Sequence, residues 1–295
     1  MKVVFCATYE GIDAKVVQVE STLTKGLPSF SIVGMASASI TEAKERVKSA
    51  LLSNGFSFPP KRITINLAPS DVKKEGSHFD LSIALMIALD YLNSDFSEWF
   101  VFGELGLDGS VKENFHLYPL ILSLANQKII KKVIVPHAAL TKLSKIPNVE
   151  FYGVNNLNEA IELLKNQETV LPSIEQSDIA YPFYKINGEK YYYTKEYNED
   201  FIDVKGQEVA KRAALISAAG FHNILFEGSP GCGKSMIAKR VQYILPPMNI
   251  DEILDVAKLD VLDAKEPLFK PHRNIRCPHH TSTLSSVFGG GCHFQ

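Results

Sequence analysis

The segment that begins at Gly228 and ends at Ser235 constrains the fold of this chain more than any other. It reads Gly-Ser-Pro-Gly-Cys-Gly-Lys-Ser and matches the pattern G-x-x-x-x-G-K-[ST] in full. Residues 223–226 before it are mostly apolar, which predicts a short buried strand, and residues 234–245 after it have a helical pattern. A strand, a glycine-rich loop and a helix in this order predict an α/β fold here, whereas a chance glycine-rich turn is the alternative.

The residue types in this loop suit the binding of phosphate groups. Gly231 and Gly233 leave room for backbone N–H groups to surround an anion, and the N-terminus of the following helix adds partial positive charge. Lys234 would reach the β- and γ-phosphates of a nucleotide, and the Ser235 hydroxyl would coordinate Mg²⁺. Cys232 is either a reactive thiol at a helix N-terminus or, as we favour, a small filler. The predicted nucleotide-binding residues are Gly228, Ser229, Pro230, Gly231, Cys232, Gly233, Lys234 and Ser235.

Composition excludes several classes of protein. The chain has 295 residues, enough for about two domains, and its 45% hydrophobic and 22% charged residues exclude wholesale disorder. A formal net charge of −2 excludes a broad basic face, so nucleic-acid contacts would need local clusters or assembly into a ring. Four cysteines do not indicate a disulfide framework. The start lacks a signal-peptide pattern and the apolar stretch 81–92 is too short to span a bilayer, so we expect a cytoplasmic protein without a membrane segment.

Residues 1–166 have the pattern of one domain with strands and helices in mixed order. Alternating or continuous apolar runs predict strands over 15–23, 29–35, 62–67, 101–107, 132–136 and 149–154. Helical periodicity predicts helices over 41–54, 77–92, 117–127 and 156–164, and the second of these is apolar nearly all round and hence buried. An α+β or α/β domain follows from this order.

Residues 167–200 differ in composition from the residues before them and are predicted to be a linker that forms strands in part. They contain prolines and a run of tyrosines among charges, namely Pro172, Pro182, Tyr181, Tyr184, Tyr191, Tyr192 and Tyr193. We favour packing of these rings on a neighbouring domain, and a surface that stacks nucleic-acid bases is the alternative. Residues 201–295 then form a second predicted domain, with a helix over 206–219 ahead of the loop.

Three separated motifs in this second part resemble one protein family. Asp203-Val204-Lys205-Gly206-Gln207 precedes the loop, and Pro278-His279-His280-Thr281 and Gly289-Gly290-Gly291 follow it. The chain is thereby similar, over essentially its whole length, to the ComM/YifB family of magnesium-chelatase-like AAA+ ATPases. The resemblance implies a Lon-like (ribosomal-S5-domain-2-like) N-terminal domain and an incomplete P-loop AAA+ αβα sandwich. It also implies ATP and Mg²⁺ as cofactors, with Val204, Lys205 and Gly206 near the adenine.

The same resemblance implies a function for intact family members. They are hexamers that drive branch migration on DNA with ATP, in natural transformation and recombination. A chelatase-like remodeller that acts through a partner protein stays open, because the same phosphate chemistry serves both. A nucleotide-binding module without turnover is a third possibility, and a peptidase is the least favoured.

The peptidase is disfavoured because the Lon-like motif has changed at both positions of its Ser–Lys dyad. The stretch Lys74-Glu75-Gly76-Ser77-His78 places His78 in the nucleophile position, and Ser77 falls one position early. The position of the partner lysine holds Tyr118. A Ser–Lys dyad needs the amine within hydrogen-bond reach of the hydroxyl. We therefore expect an inactive scaffold, with Ser77 and some other base as the alternative.

Two groups of residues near the end of the sequence each allow two interpretations. Zinc is one interpretation of the first group, but its spacing does not fit a structural zinc site, so we favour a loop that faces the nucleotide or a pore. The second group is basic and is favoured as a solvated loop, with a DNA-lined ring channel as the alternative. The first group is Cys277, His279, His280, Cys292 and His293, and the second is Lys270, His272, Arg273 and Arg276.

ATP hydrolysis in this class of protein needs an acidic residue at the end of a second strand. The candidate runs 253–255 and 261–263 are too short and lie in a stretch of helical character. By resemblance the acidic strand, the sensor residues, the arginine finger and the helical lid would all follow Gln295. We therefore expect a shortened family member that binds nucleotide weakly and hydrolyses little, with residues 201–295 poorly packed or prone to aggregate.

Overall fold

Alternation of polar and apolar residues produces the strands of the N-terminal sheet. In the computed structural model, which describes residues 2–92 and 94–289, the predicted strand at 62–67 is observed as Arg62–Ala68. Ile63, Ile65 and Leu67 are buried, while the residues between them are partly exposed. This strand therefore has one face toward a core and one face toward solvent.

The described residues form two compact units. The first comprises the chain through Asp178 together with Lys258–Pro267, and the second comprises Ile179–Ala257 together with the described residues from Leu268 onward. The strands of the first unit are β1 (Val3–Glu10), β2 (Asp13–Thr24), β3 (Ser29–Val33), β4 (Arg62–Ala68), β5 (Trp99–Val101), β6 (Glu104–Leu105), β7 (Val111–Lys112), β8 (Lys132–Pro136) and β9 (Glu150–Val154). Its helices are α1 (Ala38–Ser53), α2 (Asp80–Ala88), α3 (Leu117–Asn126), α4 (Leu140–Leu143) and α5 (Leu157–Lys165).

Seven of these strands form one mixed sheet in the order β3-β4-β2-β1-β5-β8-β9. The β1–β2 and β2–β4 pairs are antiparallel, whereas β1–β5, β5–β8, β8–β9 and β3–β4 are parallel. β6 and β7 form a separate antiparallel pair. The mixed α/β character predicted for this part is confirmed.

The most apolar helix of the first unit lies at the centre of its core. All nine residues of α2 are buried, which confirms the buried helix predicted there. Its first turn is a short 3-10 segment, Ser77–Phe79, and the regular helix ends at Ala88 rather than at residue 92. The other predicted helices and strands of this unit are observed within a few residues of their ranges, and β1, β7 and α4 are additional elements.

The strand predicted over 101–107 is wrong as a single element. It divides into β5 and β6 because Gly103 uses its backbone elsewhere. The Gly103 amide donates to the His78 carbonyl at 3.0 Å, and the Gly103 carbonyl accepts from the Leu81 amide at 3.0 Å. A Cβ atom at position 103 would lie 2.9 Å from Val111 and 3.0 Å from Leu81 of α2, so glycine permits this close approach of the chain to α2.

The second unit is helical and loop-rich. Its helices are α6 (Glu208–Gly220), α7 (Lys234–Arg240) and α9 (Leu284–Phe288), and α8 (Ile250–Leu262) starts in it. A three-stranded sheet in the order β10-β11-β12 joins β10 (Phe183–Ile186), β11 (Glu189–Tyr192) and β12 (Met248–Asn249). The tyrosine-rich part of the predicted linker is thus a β-hairpin within this unit. The helical character predicted for the 253–263 stretch is confirmed by α8.

The strand predicted at residues 223–226 is not formed. These residues are irregular, and Leu225 is 81% exposed. A strand needs a ladder partner for its backbone groups, and the described residues provide none next to this segment. The strand–loop–helix order predicted from the motif therefore lacks its first element.

Two helices of the second unit differ from prediction at their ends. α6 starts at Glu208 rather than at 206, because Gly206 and Gln207 have positive φ angles of 66° and 60°. α7 ends at Arg240 and continues as a 3-10 turn to Ile244. Two prolines follow at 246–247, and a residue before proline is disfavoured in a helix.

Candidate nucleotide-binding site

Two glycines give the loop between Gly228 and Ser235 its backbone shape. Gly231 has φ +82° and Gly233 has φ +93°, a region that strains any residue with a Cβ atom. Within the described residues, a Cβ atom at either position would meet nothing within 4 Å. The loop is therefore curved and open at these two glycines, as the motif predicts.

The backbone amides of the loop are mostly unpaired. The Cys232 amide donates to the Ser229 carbonyl at 3.4 Å, and the Ile237 amide donates to the Gly233 carbonyl at 3.0 Å. Across residues 2–92 and 94–289, no protein acceptor is found for the amides of Gly231, Gly233, Lys234 or Ser235. Consecutive unpaired amides at a turn form a concavity that attracts anions.

Lys234 folds back over this loop. Its Nζ donates to the Gly228 and Ser229 carbonyls, each at 2.8 Å, and lies 3.6 Å from the Cys232 sulfur. The ammonium group is therefore held beside the loop, where it can exchange carbonyl partners for phosphate oxygens. Ser235 is exposed in the first turn of α7, so its hydroxyl is accessible.

The segment Val204–Gly206 and the loop are brought together. The side-chain amide of Gln207 donates to the Cys232 carbonyl at 3.3 Å. Val204 is buried with Ala214 and Ile237, while Lys205 and Gly206 are exposed. Gln207 was missed by sequence reasoning, and its left-handed backbone could not be read from the motif.

Arg240 is a second residue that sequence reasoning missed. It is 8% exposed, and its guanidinium donates to the carbonyls of Asp200 at 2.9 Å and Met236 at 3.2 Å. It also forms ion pairs with Glu199 at 3.3 Å and Asp203 at 3.4 Å. Arg240 thus joins the end of α7 to the segment that leads into Val204, and so helps to position both parts of the site.

The two positions that the resemblance aligns with a Ser–Lys dyad hold buried side chains in the first unit. His78 is 3% exposed, and its Nε2–H donates to the Ala7 carbonyl at 2.8 Å. Burial lowers the pKa of His78 to about 4, despite this hydrogen bond, so the ring is neutral at pH 7. Tyr118 is likewise 3% exposed, within α3. Neither side chain is accessible to a substrate.

Ser77 has acidic and amide partners. Its hydroxyl donates to the Glu104 carboxylate in a short hydrogen bond and accepts from the Asn114 amide at 3.3 Å. Neither partner is a lysine or a histidine, the bases that commonly activate serine.

One buried ion pair lies beside Ser77. The guanidinium of Arg46 donates to the two carboxylate oxygens of Asp80 at 2.7 and 3.1 Å, and the Leu105 amide adds a third contact at 3.3 Å. Asp80 is fully buried, and burial raises its pKa to about 6 against the opposing effect of Arg46. The pair connects α1 to the start of α2 and supports the fold of this unit.

Among the described residues, the structure does not keep those of the candidate metal cluster, or those of the basic cluster, together as one group. Cys292 and His293 lie outside the described residues, and within the described ranges no group of three or more His, Cys, Asp or Glu side chains could hold a metal ion. Arg273 is engaged internally: it donates to the Pro246 carbonyl at 3.0 Å and pairs with Glu252 at 2.8 Å. Lys270 and Arg276 are exposed.

None of the helices in the described part of the chain has the length and apolar character needed to cross a bilayer.

Comparison with protein-family models matches both parts of the chain to magnesium-chelatase subunits. Residues 19–139 match the model described as subunit ChlI of Mg-chelatase, and residues 200–295 match the model described as magnesium chelatase, subunit ChlI. The competence protein ComM of Haemophilus influenzae is 34% identical over 296 residues, which cover 99% of this chain. The chain belongs to the ComM/YifB family of magnesium-chelatase-like proteins.

Other relatives in this family extend the match. The YifB proteins of Salmonella typhimurium and Escherichia coli are each 33% identical over 288 residues, or 95% of this chain. The aligned region is 56% of the ComM sequence and 53% of each YifB sequence. The chain therefore spans about half the length of the curated relatives it matches.

Proposed function

We propose that this chain contains the ATP-binding loop of a magnesium-chelatase-like AAA+ motor that acts on DNA. The observation that supports it best is the set of unpaired amides of Gly231, Gly233, Lys234 and Ser235 among the described residues, with the Lys234 side chain folded over the loop. Such a loop holds the phosphate tail of a nucleotide through its backbone, and the lysine neutralises the charge of the β- and γ-phosphates. The open space at Gly231 and Gly233 fits that role.

Magnesium fits the same residues. Mg²⁺ takes few ligands from protein and the rest from phosphate oxygens and water, so one exposed hydroxyl, that of Ser235, suffices from this loop. When bound, the ion would neutralise charge on the phosphates. Val204, Lys205 and Gly206 are proposed to lie near the adenine, which is consistent with the hydrogen bond from Gln207 to the loop.

The proposal gives the first unit a scaffolding role. A Lon-like fold, if present, would have lost both groups of its dyad, because His78 and Tyr118 are buried in the core. The mixed sheet would then support assembly instead of peptide cleavage. Assembly into a hexamer, location in the cytoplasm and branch migration on DNA belong to this proposal for the whole protein.

A chelatase-like remodeller is the second candidate. Both matching family models are named for the ChlI subunit of magnesium chelatase, which favours it directly. The loop chemistry is the same in the two cases, so the partner decides between them. Stimulation of ATP hydrolysis by branched DNA, measured on a full-length relative, supports the DNA motor, and its absence favours the remodeller.

The binding proposal is tested by titration of the chain with Mg²⁺-ATP in a calorimeter. Replacement Lys234→Ala removes the ammonium group and should weaken binding by about 10- to 100-fold, the value of a hydrogen bond to a charged group. Lys239→Ala, an exposed lysine further along the same helix, is the matched control and should bind as the unaltered chain does. Equal affinity for the Lys234 and Lys239 variants would overturn the assignment of the loop.

A further inference from the structure

A cavity of about 250 Å³ lies within the second unit, apart from the loop at 228–235. It opens between the β10–β11 hairpin and the segment that follows α7. None of its described lining residues belongs to the glycine-rich loop. They are Tyr184, Tyr193, Thr194, Tyr197, Gln242, Tyr243, Ile244, Leu245, Pro246, Pro247, Pro271, His272 and Arg273.

Aromatic rings form much of the cavity wall. Tyr184 and Tyr193 stack with ring centroids 4.6 Å apart and an interplanar angle of 13°. Tyr243 contacts Tyr197 edge to face at 5.8 Å and His272 at 5.7 Å. Flat π surfaces of this kind bind another planar ring by stacking, and any of the nucleobases can supply that ring.

The polar groups of the cavity suit a ligand that carries a planar ring with hydrogen-bonding groups. Among the described residues, the lining contains no carboxylate, and it offers His272, the hydroxyl of Thr194 and the amide of Gln242, while the guanidinium of Arg273 is paired with Glu252 at 2.8 Å. A hydrogen bond shared with Tyr193 raises the pKa of Tyr184, and the nearby positive charge of Lys195 opposes that rise. Lys195 therefore lies close to this edge of the cavity, where a phosphate next to a bound ring would be attracted.

Burial of these rings is incomplete, which would be unusual if they served the core alone. Tyr184 is 55% exposed and Tyr197 is 48% exposed, while Tyr192 of the same hairpin is only 2% exposed. The hairpin thus already has a buried tyrosine to anchor it. The exposed rings are available to a ligand.

We propose that this cavity binds one nucleobase of single-stranded DNA, stacked against the exposed face of the tyrosine rings. Its volume is below the range of about 300 to 1,000 Å³ that is usual for small-molecule sites, so it suits one ring system and not a dinucleotide. The inference rests on the proposed function, because DNA is the ligand only if the protein is a motor that acts on DNA. It assigns that contact to the hairpin tyrosines with the neighbouring residues 271–273, and not to the exposed Lys270 and Arg276.

Binding of a fluorescent thymidine oligonucleotide to the full chain tests this inference, with an abasic oligonucleotide of equal length as the matched ligand. The thymidine strand should bind more tightly than the abasic strand. Tyr197→Ala should weaken only the thymidine strand, by about 5- to 100-fold, because base stacking on one aromatic residue is lost. Tyr197→Phe keeps the ring and should retain affinity. Tyr91→Ala, which replaces a comparably exposed tyrosine of the first unit, should have no effect.

Equal binding of the thymidine and abasic strands would overturn the inference, since phosphate contacts alone would then account for affinity. An unchanged affinity in both Tyr197→Ala and Tyr243→Ala would overturn it too, and would favour packing of the rings on another part of the protein. Competition with thymidine monophosphate distinguishes a free nucleotide from a strand. Displacement of the oligonucleotide by an equal concentration of the monophosphate would overturn the single-strand source.

Measurement of Mg²⁺-ATP affinity on the same variants separates this inference from the proposed function. Tyr197→Ala should bind ATP as the unaltered chain does, whereas Lys234→Ala should lose ATP and keep the base-dependent DNA affinity. A chain that binds ATP through Lys234 but shows no base-dependent DNA affinity would refute the cavity assignment alone.

Discussion

The two units of this chain differ in whether the polar groups of their candidate sites have hydrogen-bond partners within the fold. In the first unit, polar groups at and near His78 are engaged in internal contacts: His78 donates to the Ala7 carbonyl, and Asp80 pairs with Arg46. In the second unit, the amides of Gly231, Gly233, Lys234 and Ser235 in the glycine-rich loop have no partner among the described residues. An unpaired amide can donate to a ligand without first losing a partner, so we propose that the second unit binds the ligand and that the first unit gives structural support.

The largest effect that would sharpen this contrast concerns the buried pair of the first unit. Arg46→Ala leaves the fully buried Asp80 carboxylate without its partner and should lower the free energy of unfolding by about 3 kcal/mol or more at pH 8. Urea unfolding followed by the fluorescence of Trp99, the one tryptophan of the chain, reports on this unit. Lys165→Ala, which removes an exposed helix pair with Glu162, should cost at most about 0.5 kcal/mol. Similar losses for both variants would show that Asp80 is not supported by Arg46.

The next effect tests whether loop shape matters for binding and not for stability. Gly233→Ala forces a side chain into φ +93° and should reduce ATP affinity about tenfold or more, with no change in the Trp99 transition. Gly188→Ala is the matched control: Gly188 has φ +89° in the hairpin turn, and a Cβ atom there would also meet none of the described residues within 4 Å. The two variants share the same strain, so a loss of ATP affinity in both would attribute the effect to general destabilisation.

The free energy of unfolding, measured as a function of pH, tests whether His78 is buried in the first unit. Burial lowers the pKa of His78 from its ordinary value of 6.5 to about 4, so the unfolded chain binds the proton more readily. Its contribution to stability is therefore present above pH 6.5 and is lost as pH falls toward 4, with a slope of up to about 1.4 kcal/mol per pH unit. Asp80 acts in the opposite direction in this range, because burial raises its pKa to about 6 in the folded state.

The difference between the unaltered chain and His78→Gln isolates the histidine, since Asp80 is common to both. As pH rises from 4 to 6.5, the unaltered chain should gain stability relative to the variant, as measured by urea unfolding with Trp99 fluorescence. Parallel pH profiles would mean that His78 is solvated and not buried in the folded state.

The smallest effect concerns Ser77. Ser77→Ala removes the hydrogen bond to Glu104 and should change the free energy of unfolding by about 1 kcal/mol. Neither protein should cleave a set of unstructured peptides. Cleavage by the unaltered chain that disappears in Ser77→Ala would mean that the first unit retains a hydrolytic site, and the contrast between the units would fail.

Sequence patterns predicted the first unit well because its signals are local. The alternation in β4 and the all-apolar surface of α2 each reflect burial against a core that this part of the chain completes by itself. The break at Gly103 could not be predicted, because it depends on the packing of α2 against the chain from a distant part of the sequence.

The second unit was predicted less well for a different reason. The motif identified the loop and α7, but the strand at 223–226 needs a partner strand, and the described residues do not supply one. Contacts such as that from Gln207 to Cys232, or from Arg240 to Asp200, join residues that no periodicity relates. The glycine-rich loop could thus be found from the sequence, whereas the residues that position it could not.

Backbone amide chemical shifts during an ATP titration test the central claim most directly. With the full chain labelled with ¹⁵N, the amide signals of Gly231, Gly233, Lys234 and Ser235 should shift together and saturate as Mg²⁺-ATP is added, and inorganic triphosphate should move the same signals. If these four signals stay in place at millimolar ATP while others respond, or if none responds, the loop does not bind the phosphates and the assignment of the site is wrong.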